Sequence, residues 1–275
     1  MFSPYYASAR RRGPAAALDH CAVNVALYGA GPQRWTMTER DGGAVERSAT
    51  HFRVGPSDLA WRDGTLEIRL DEMAVPLPRR VRGTIRVEPL SRPRYAAALD
   101  PSGRHVWQPI APRARVTLDL EKPALRWTGH GYLDSNRGSA PLEADFASWH
   151  WSRAQTAAGD TTVYYDVVRR DQSTCGLALQ FDAAGRVTPV ATPTLQRLPT
   201  TRWWRIARAA RARDDVLREL RTLEDTPFYA RSLFTDGVDE PAHVVHESLS
   251  LERFDTRWVQ ALLPFRMPRV RTRGR

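Results

Sequence analysis

The stretch TLEIRLDEM, residues 65–73, alternates apolar and polar side chains at nearly every position. Leu66, Ile68 and Leu70 therefore share one face of an extended strand, while the charged residues between them share the other. Such alternation is typical of an antiparallel sheet that buries one face and exposes the other to water. The stretch predicts a β-strand of this kind, and the neighbouring sequence repeats its pattern.

Similar short runs continue on both sides, with turn signals such as DGG, RDG and DPSG between some of them. Strands at this spacing predict antiparallel sheets that close on themselves. A Trp-rich segment, FASWHWSRA, separates two series of runs, so we expect two β units with a seam near residues 140–155. The runs are CAVNVALYG (21–29), RGTIRVEPL (82–90), ARVTLDLEK (114–122), ALRWTG (124–129), TTVYYDVVRR (161–170) and CGLALQFD (175–182).

The composition indicates a globular, mostly-β protein. The chain has 275 residues and a hydrophobic fraction of 42%, and its 20 prolines and 17 glycines divide it into short segments. Cys21 and Cys175 are too few for a disulfide framework or a zinc site, and no apolar run reaches the roughly 18 residues of a membrane span. We therefore expect a cytoplasmic protein with reduced thiols and no metal.

The chain is strongly basic, with a formal net charge of +10 and a pI near 10.3. This charge permits nucleic acid, an anionic membrane surface or an acidic protein as a partner. All of the 41 basic residues except Lys122 are arginines, and they are spread along the whole chain. Because the spread weakens the nucleic-acid interpretation, we expect no nucleic acid as a partner.

The segment TRWWRIARAARARDDVLRELRT, residues 201–222, allows two interpretations. Arginines three apart and an alanine-rich composition favour a basic helix. Near-alternating arginines beside Trp203 also suit a strand. The sequence leaves both possibilities open.

The segment HVVHES, residues 243–248, has two histidines at a spacing that a helix would place on one face. Its valines, however, indicate a strand, in which His243 and His246 face opposite sides. Core or surface histidines are therefore favoured over metal ligands.

The segment GHGYLDSN, residues 129–136, places His130, Tyr132 and Asp134 at every second position. In a strand these three side chains share one face. The sequence DSNRG that begins at Asp134 is rich in residues that form Asx-turns. This pattern alone predicts that the strand ends there and that Asp134 is a turn residue.

Long ordered blocks along the chain are too specific to reflect composition. They are FSPYYA (2–7), DHCAVNVALYG (19–29), RWTMTER (34–40), HVWQPIAPRARV (105–116), GYLDSN (131–136), LEDTPFYARS (223–232) and LPFRMPR (263–269). Together they resemble the bacterial carotenoid 1,2-hydratases, also called hydroxyneurosporene synthases, from residue 2 to about residue 269.

The resemblance implies an enzyme without a cofactor that adds water across the terminal 1,2 double bond of acyclic carotenoids such as neurosporene and lycopene. It also implies two lipocalin-like antiparallel β-barrel units, which we place at residues 1–145 and 146–275. Members of the family have a substantial segment ahead of FSPYY, whereas Met1 abuts Phe2 in this chain. We therefore expect the first unit to lack its N-terminal strands.

The family's active-site residues are a His-x-Trp pair and a Tyr-x-Asp pair. The resemblance carries these roles to His105 and Trp107 and to Tyr132 and Asp134, and leaves His130 outside the set. Asp134 is expected to protonate the alkene, because so weak a base needs a carboxylic acid that holds its proton near neutral pH. Trp107 and Tyr132 would stabilise the tertiary cation with their ring faces. His105 would hold the Asp134 carboxyl or orient the water.

The resemblance also implies which molecules the protein meets, namely an acyclic carotenoid and water. Since such a substrate arrives from a bilayer, Arg202, Trp203, Trp204 and Arg205 are expected to contact anionic lipid on the inner face of the cytoplasmic membrane. The alternative is a lipocalin-like carrier, or a related barrel enzyme that acts on another terpenoid. Such a protein shares an apolar cavity but needs no neutral acid.

Overall fold

A computed structural model describes residues 2–156, 158–238 and 241–272. Strands account for most of its regular structure, which confirms the mostly-β prediction. The helices are short, namely α1 (Pro4–Arg12), α2 (Leu142–Asp145), α3 (Leu251–Phe254) and α4 (Arg257–Leu262). The strands are β1 (Cys21–Leu27), β2 (Arg34–Arg40), β3 (Val45–Arg47), β4 (His51–Val54), β5 (Ser57–Arg62), β6 (Thr65–Met73), β7 (Arg80–Pro89), β8 (Ala97–Ala98), β9 (His105–Lys122), β10 (Leu125–Gly138), β11 (Phe146–Gln155), β12 (Thr161–Arg169), β13 (Thr174–Phe181), β14 (Val187–Pro189), β15 (Gln196–Leu198), β16 (Arg208–Ala210), β17 (Leu217–Asp225), β18 (Tyr229–Asp236), β19 (Ala242–Ser250) and β20 (Arg269–Val270).

The chain forms two compact units whose segments alternate along the sequence. The first comprises Met1–Pro89, Ala114–Gly131 and Gln260–Arg275, and the second comprises Leu90–Arg113 and Tyr132–Val259. Strands β9 and β10 therefore contribute residues to both units. The domains proposed from the sequence, residues 1–145 and 146–275, are continuous segments, and that division stays a prediction.

The stretch TLEIRLDEM forms β6, inside the largest sheet. The strand order of this sheet is β10-β9-β7-β6-β5-β4-β3, with β8 added beside β9. Leu66 and Leu70 are buried, as their alternation predicts, and Leu70 packs in a core with Val81, Leu118 and Leu120. Burial of each such side chain contributes about 1.5–3 kcal/mol to folding.

Glu72 lies on the core side of β6 but carries a carboxylate. Its side chain is fully buried, and it accepts hydrogen bonds from Arg40 Nη2 at 2.8 Å and from Ser57 Oγ at 2.6 Å. Because a buried charge without a partner strongly destabilises the folded state, Arg40 is required at this position. The first unit therefore neutralises a buried acid with a guanidinium.

A three-stranded sheet, β1-β2-β20, also belongs to the first unit. Strands β1 and β2 pair antiparallel, and β2 and β20 pair parallel. The buried Glu39 on β2 accepts a hydrogen bond from Arg269 on β20 and shares another with His20. Here too a buried carboxylate has a charged partner.

A seven-stranded sheet dominates the second unit. Its order is β14-β13-β12-β11-β19-β18-β17, and its strands pair antiparallel. One face of β11, β18 and β19 packs into an apolar core that contains Ala154, Phe234 and Val244. The side chains at the alternate positions face the other way and form the candidate site described below.

The predicted closed barrels are not confirmed. Within the described ranges, the larger sheets each end in strands that pair with one neighbour and not with each other, namely β10 and β3 in one sheet and β14 and β17 in the other. Alternation and spacing predict individual strands because they act locally. Closure requires the first and last strands of a sheet to pair, and no local pattern encodes that.

The segment 201–222 contains no α-helix, so its helical interpretation is wrong. It contains β16, a single 3₁₀ turn at Arg213–Asp215 and most of β17. Arg208 donates to Ser232 Oγ at 2.9 Å, and Arg211 forms an ion pair with Asp166 at 2.7 Å. These tertiary contacts outweigh the helix propensity of the alanines.

The turn predicted at DSNRG is also wrong, because β10 continues as far as Gly138. Contacts with β9 hold this end of the strand. β10 pairs with β9, and Arg137 Nη1 donates to Gln108 Oε1 at 3.0 Å. Asp134 is therefore a strand residue. Its side chain direction follows from the alternation of the strand and not from a turn.

The described helices are all short. Within residues 2–156, 158–238 and 241–272, no helix combines the length and apolar character that crossing a bilayer requires.

Candidate active site

A pocket of about 310 Å³ lies in the second unit, at the lower end of the usual range for ligand pockets. Side chains of five strands line it, and all belong to this unit. The lining residues are Tyr132, Asp134 and Asn136 of β10, Trp149, Trp151 and Arg153 of β11, Tyr165 of β12, Arg231 of β18, and Val245 and Glu247 of β19.

Strand register explains why these residues meet. On β11, three alternate positions carry Trp149, Trp151 and Arg153, which therefore share one face. Trp151 lies opposite Tyr165 on one side and opposite Glu247 on the other. Because Glu247 in turn lies opposite Arg231, a single row of side chains crosses four strands.

Asp134 is the most distinctive group in the pocket. Its Oδ2 accepts a hydrogen bond from Trp107 Nε1 at 2.8 Å and a longer one from the Tyr132 hydroxyl at 3.2 Å. Oδ1 accepts no hydrogen bond from the residues that the structure describes. One oxygen is therefore held in place while the other is available to a molecule in the pocket.

The surroundings of Asp134 raise its pKa above the ordinary value of 3.8. Desolvation by burial is the largest cause, and the negative charge of Glu247 adds to it. Hydrogen bonds from Trp107 and Tyr132, together with the positive charge of Arg153, act in the opposite direction and are outweighed. Asp134 therefore keeps its proton to a higher pH than a solvated aspartic acid does.

Tyr132 remains a hydrogen-bond donor over the whole physiological range. Burial raises the pKa of its hydroxyl well above 10.0, and the neighbouring Asp134 raises it further. The Arg153 guanidinium lies 5.4 Å from the centre of the Tyr132 ring, and the Trp151 ring lies 5.3 Å away. Tyr132 thus connects the acid to the aromatic wall of the pocket.

Trp107 is fully buried and is not among the residues that line the pocket. Its indole packs edge-on against the rings of Tyr95, Tyr165 and Phe181. It reaches the site through its hydrogen bond to Asp134. This geometry supports a positioning role and differs from the expectation that its ring face meets the cation.

His105 has a different carboxyl partner from the one expected. It is 2% exposed, and its Nε2 lies 2.6 Å from Oδ2 of Asp145. Gly138 allows this close packing, since a Cβ there would come within 2.6 Å of His105 Nδ1. His105 therefore anchors the start of β9 against Asp145, two residues before Trp107. Neither ring nitrogen of His105 is hydrogen-bonded to Asp134.

The remaining candidate histidines lie apart from the pocket lining. His130 is exposed. β19 places His243 on the exposed face and His246 in the core, where its ring contacts the Ala209 carbonyl oxygen at 2.9 Å. The prediction that this segment is a strand with its two histidines on opposite faces is confirmed.

Sequence reasoning missed several of the pocket residues. The alternation in FASWHWSRA was a usable signal for Trp149, Trp151 and Arg153, because three alternate positions carry large side chains. Glu247 lies within HVVHES, where only the two histidines were candidates. Arg231 and Tyr165 have no local signal, since their place in the site depends on strand pairing.

A family model and two similar proteins match this chain over nearly its entire length. The model of the carotenoid hydratase CrtC family matches residues 1–274. The chain is 54% identical to the acyclic carotenoid 1,2-hydratase of Thiocapsa roseopersicina over 272 residues, which is 98% of this chain and 67% of that protein. It is 45% identical to the enzyme of the same name from Rubrivivax gelatinosus over 276 residues, with the same two coverages.

A solved structure from Nitrosomonas europaea, assigned to AttH, aligns with a TM-score of 0.49 and 15% identity over 76% of this chain and 72% of its own. This likeness is too distant to support an argument. The family match and the two relatives suffice, and the chain belongs to the carotenoid hydratase CrtC family.

Proposed function

We propose that this chain is a hydro-lyase that adds water to the terminal 1,2 double bond of acyclic carotenoids such as neurosporene and lycopene, without a cofactor. The observation that carries the proposal is the setting of Asp134, a carboxyl with a raised pKa that two neutral donors hold at the wall of an aromatic pocket. A neutral carboxylic acid is what protonation of an alkene requires. Names of the relatives supply the substrate class.

The reaction begins when the Asp134 carboxyl transfers its proton to carbon 2 of the alkene. A tertiary cation remains at carbon 1, water forms a bond to that carbon, and loss of a proton from the water gives the tertiary alcohol. Trp107 and Tyr132 hold Oδ2 throughout, so the proton is delivered from Oδ1. Both donors also stabilise the carboxylate that is left behind.

The aromatic wall suits the cationic intermediate. Trp149, Trp151, Tyr132 and Tyr165 line the pocket, and a ring face beside a desolvated cation contributes about 2 kcal/mol, or more than tenfold in rate. None of these groups is a strong nucleophile that would trap the cation. The pocket volume of about 310 Å³ accommodates the end of a carotenoid chain, where the reacting double bond lies.

The direct experiment is incubation with lycopene or neurosporene in lipid micelles, followed by mass spectrometry of the extracted pigment. We expect a product heavier by one water from the parent protein and none from Asp134→Asn. Bound but unchanged carotenoid would instead support the carrier alternative. Conversion of a different terpenoid, with no conversion of these carotenoids, would support the related enzyme.

We also propose that an exposed patch at residues 202–205 contacts anionic lipid on the inner face of the cytoplasmic membrane. Trp203 is 75% exposed, with the Arg202 guanidinium 5.2 Å from the centre of its ring. Trp204 stacks on Trp258 at 6.0 Å, and Arg205 is exposed. Indole and guanidinium groups side by side suit the boundary between acyl chains and anionic headgroups.

Sedimentation with vesicles tests this surface. We expect the parent protein to bind phosphatidylglycerol vesicles more tightly than phosphatidylcholine vesicles, and Trp203→Ala to weaken that binding. The control must change an exposed residue, and a buried arginine such as Arg208 does not meet this condition. Replacement of the exposed Trp127, which lies outside the patch, provides the matched control. Equal binding of both variants and the parent would contradict the proposal.

A further inference from the structure

The pocket contains three charged groups that the reaction described so far does not use. Arg153, Arg231 and Glu247 all line it. A pocket that only has to hold a hydrocarbon gains nothing from charges, because burying each of them disfavours the folded state. Their presence needs a separate explanation.

Arg231 binds one carboxylate oxygen of Glu247. Arg231 donates to Oε1 from both Nε, at 3.1 Å, and Nη2, at 2.7 Å. Both of these bonds end on Oε1 and neither ends on Oε2. The side chain is 23% exposed, although the residue lies in the middle of the sheet, so solvent reaches it from the pocket.

Glu247 and Asp134 share the pocket but have opposite kinds of partner. Neutral donors hold Asp134, whereas a guanidinium holds Glu247. The charge of Glu247 contributes to the raised pKa of Asp134. Two carboxyl groups in one pocket, one held by neutral donors and the other by a guanidinium, suit a general acid and a general base.

We propose that Glu247 is the catalytic base that binds the attacking water and accepts its proton. This inference rests on the proposed hydration. Water held at Oε2 of Glu247 forms the bond to carbon 1 with an oxygen lone pair, and its O–H bond breaks as the proton moves to Glu247. Asp134 has by then given its proton to carbon 2. Transfer of the proton from Glu247 back to Asp134 through pocket water restores both groups.

Arg153 explains how two carboxyl groups coexist in one pocket. Its guanidinium has no hydrogen bond or ion pair with a described residue, and burial lowers its pKa while Tyr132, Asp134 and Glu247 raise it. It therefore offsets the negative charge that moves between Asp134 and Glu247 during turnover. Tyr229 also lies near Glu247, whose charge adds to the effect of burial in raising the pKa of that hydroxyl.

A variant set with product analysis and equilibrium binding tests the role of Glu247. Glu247→Gln keeps the size of the side chain and one oxygen for Arg231, but cannot accept the proton. We expect a fall in the hydration rate of at least about 100-fold, as for other general bases, with lycopene binding within about threefold of the parent. Glu224→Gln is the matched control, because Glu224 also lies opposite Arg231 but does not line the pocket. We expect it to hydrate at the parent rate.

Chemical rescue separates a base from a structural ion pair. We expect added formate to restore part of the rate in Glu247→Ala, because formate supplies the missing carboxylate, and to leave Glu224→Gln unchanged. Glu247→Gln that hydrates within about threefold of the parent, or a folded Glu247→Ala that binds lycopene and is not rescued, would overturn the inference. A parent protein that forms no product would contradict the proposed function itself, which is a different outcome.

Discussion

Glu72 and Glu39 in the first unit and Asp134 in the second have opposite kinds of partner. In the first, Glu72 is paired with Arg40 and Glu39 with Arg269, so each carboxylate meets a guanidinium. In the second, the carboxyl of Asp134 accepts hydrogen bonds from the neutral groups of Trp107 and Tyr132 and, among the described residues, from no charged group. The difference teaches that burial alone does not identify a catalytic acid. The balance between desolvation and the hydrogen bonds that a carboxyl accepts decides whether its pKa is raised, as for Asp134, or lowered, as for Asp100.

The largest effect is expected where a guanidinium is removed from a buried acid. Arg40→Ala leaves the buried Glu72 without its ion-pair partner, and such changes cost about 3–5 kcal/mol of stability. We expect this loss in urea or thermal unfolding. Arg80→Ala, which breaks an exposed pair with Asp71, should have a far smaller effect. If Arg40→Ala proves as stable as the parent, Glu72 does not depend on its charged partner.

Asp134→Asn should show the reverse pattern, with activity lost and stability kept. Asparagine retains an oxygen for Trp107 and Tyr132 but has no acidic proton. We expect the hydration rate to fall by roughly 100- to 1,000-fold, with the free energy of unfolding changed by less than about 1 kcal/mol. Product analysis and thermal melts measure the two effects. An early-melting variant, or one that still hydrates lycopene near the parent rate, would make Asp134 structural.

Tyr132→Phe tests one of the two neutral donors to Asp134 by itself, because it removes the hydroxyl and keeps the ring. We expect a fall in rate of roughly tenfold, in line with the loss of one hydrogen bond. The Tyr132 donor favours the carboxylate, so its removal raises the pKa of Asp134 further. In the proposed reaction the rate depends on protonated Asp134, and the decline of the rate at alkaline pH should therefore move to higher pH. Tyr95→Phe, at a ring that packs on Trp107, is the control and should leave the pH profile unshifted.

The smallest effect concerns how stability changes with pH. The folded-state pKa of Asp134 is raised, so its contribution is present below the unfolded value and is lost as pH rises through the folded value. Asp134→Asn should therefore gain stability relative to the parent as pH increases from about 4. Unfolding free energies measured across this range test the sign, and a constant difference would contradict it.

Asp100 provides the contrast within the second unit. Burial raises its pKa, but hydrogen bonds from Ser102 and from the backbone of His105, Arg104 and Ser102 outweigh this and bring it to about 2. Its contribution is present above the unfolded value of 3.8 and is lost as pH falls towards about 2. Asp100→Asn should therefore lose stability relative to the parent as pH rises from about 2 to 5, the opposite of the trend for Asp134→Asn.

Much of the fold was predictable because strand periodicity is local. The alternation in TLEIRLDEM requires only neighbouring residues, and β6 follows it. The strand end predicted at DSNRG and the helix considered for residues 201–222 were wrong for one reason. In both places, contacts with distant strands outweigh the local preference of the residues.

The candidate site was predictable in part. Resemblance to the family selected Trp107, Tyr132 and Asp134, which the structure brings together. It also selected His105, which the structure pairs with Asp145. Glu247 and Arg231 could not be recognised, since each lies in an ordinary alternating strand and becomes notable only when β18 and β19 pair beside β11.

The sequence by itself determined the mostly-β class, the faces of the main strands and the residues among which an acid should be sought. Only the tertiary structure decided which carboxyl received which partner. Asp134 meets Trp107 across 27 positions of the chain, and Asp145 meets His105 across 40. Alternation determines on which face of its own strand a side chain lies. The group that it meets there depends on contacts between segments far apart in sequence, which no local pattern encodes.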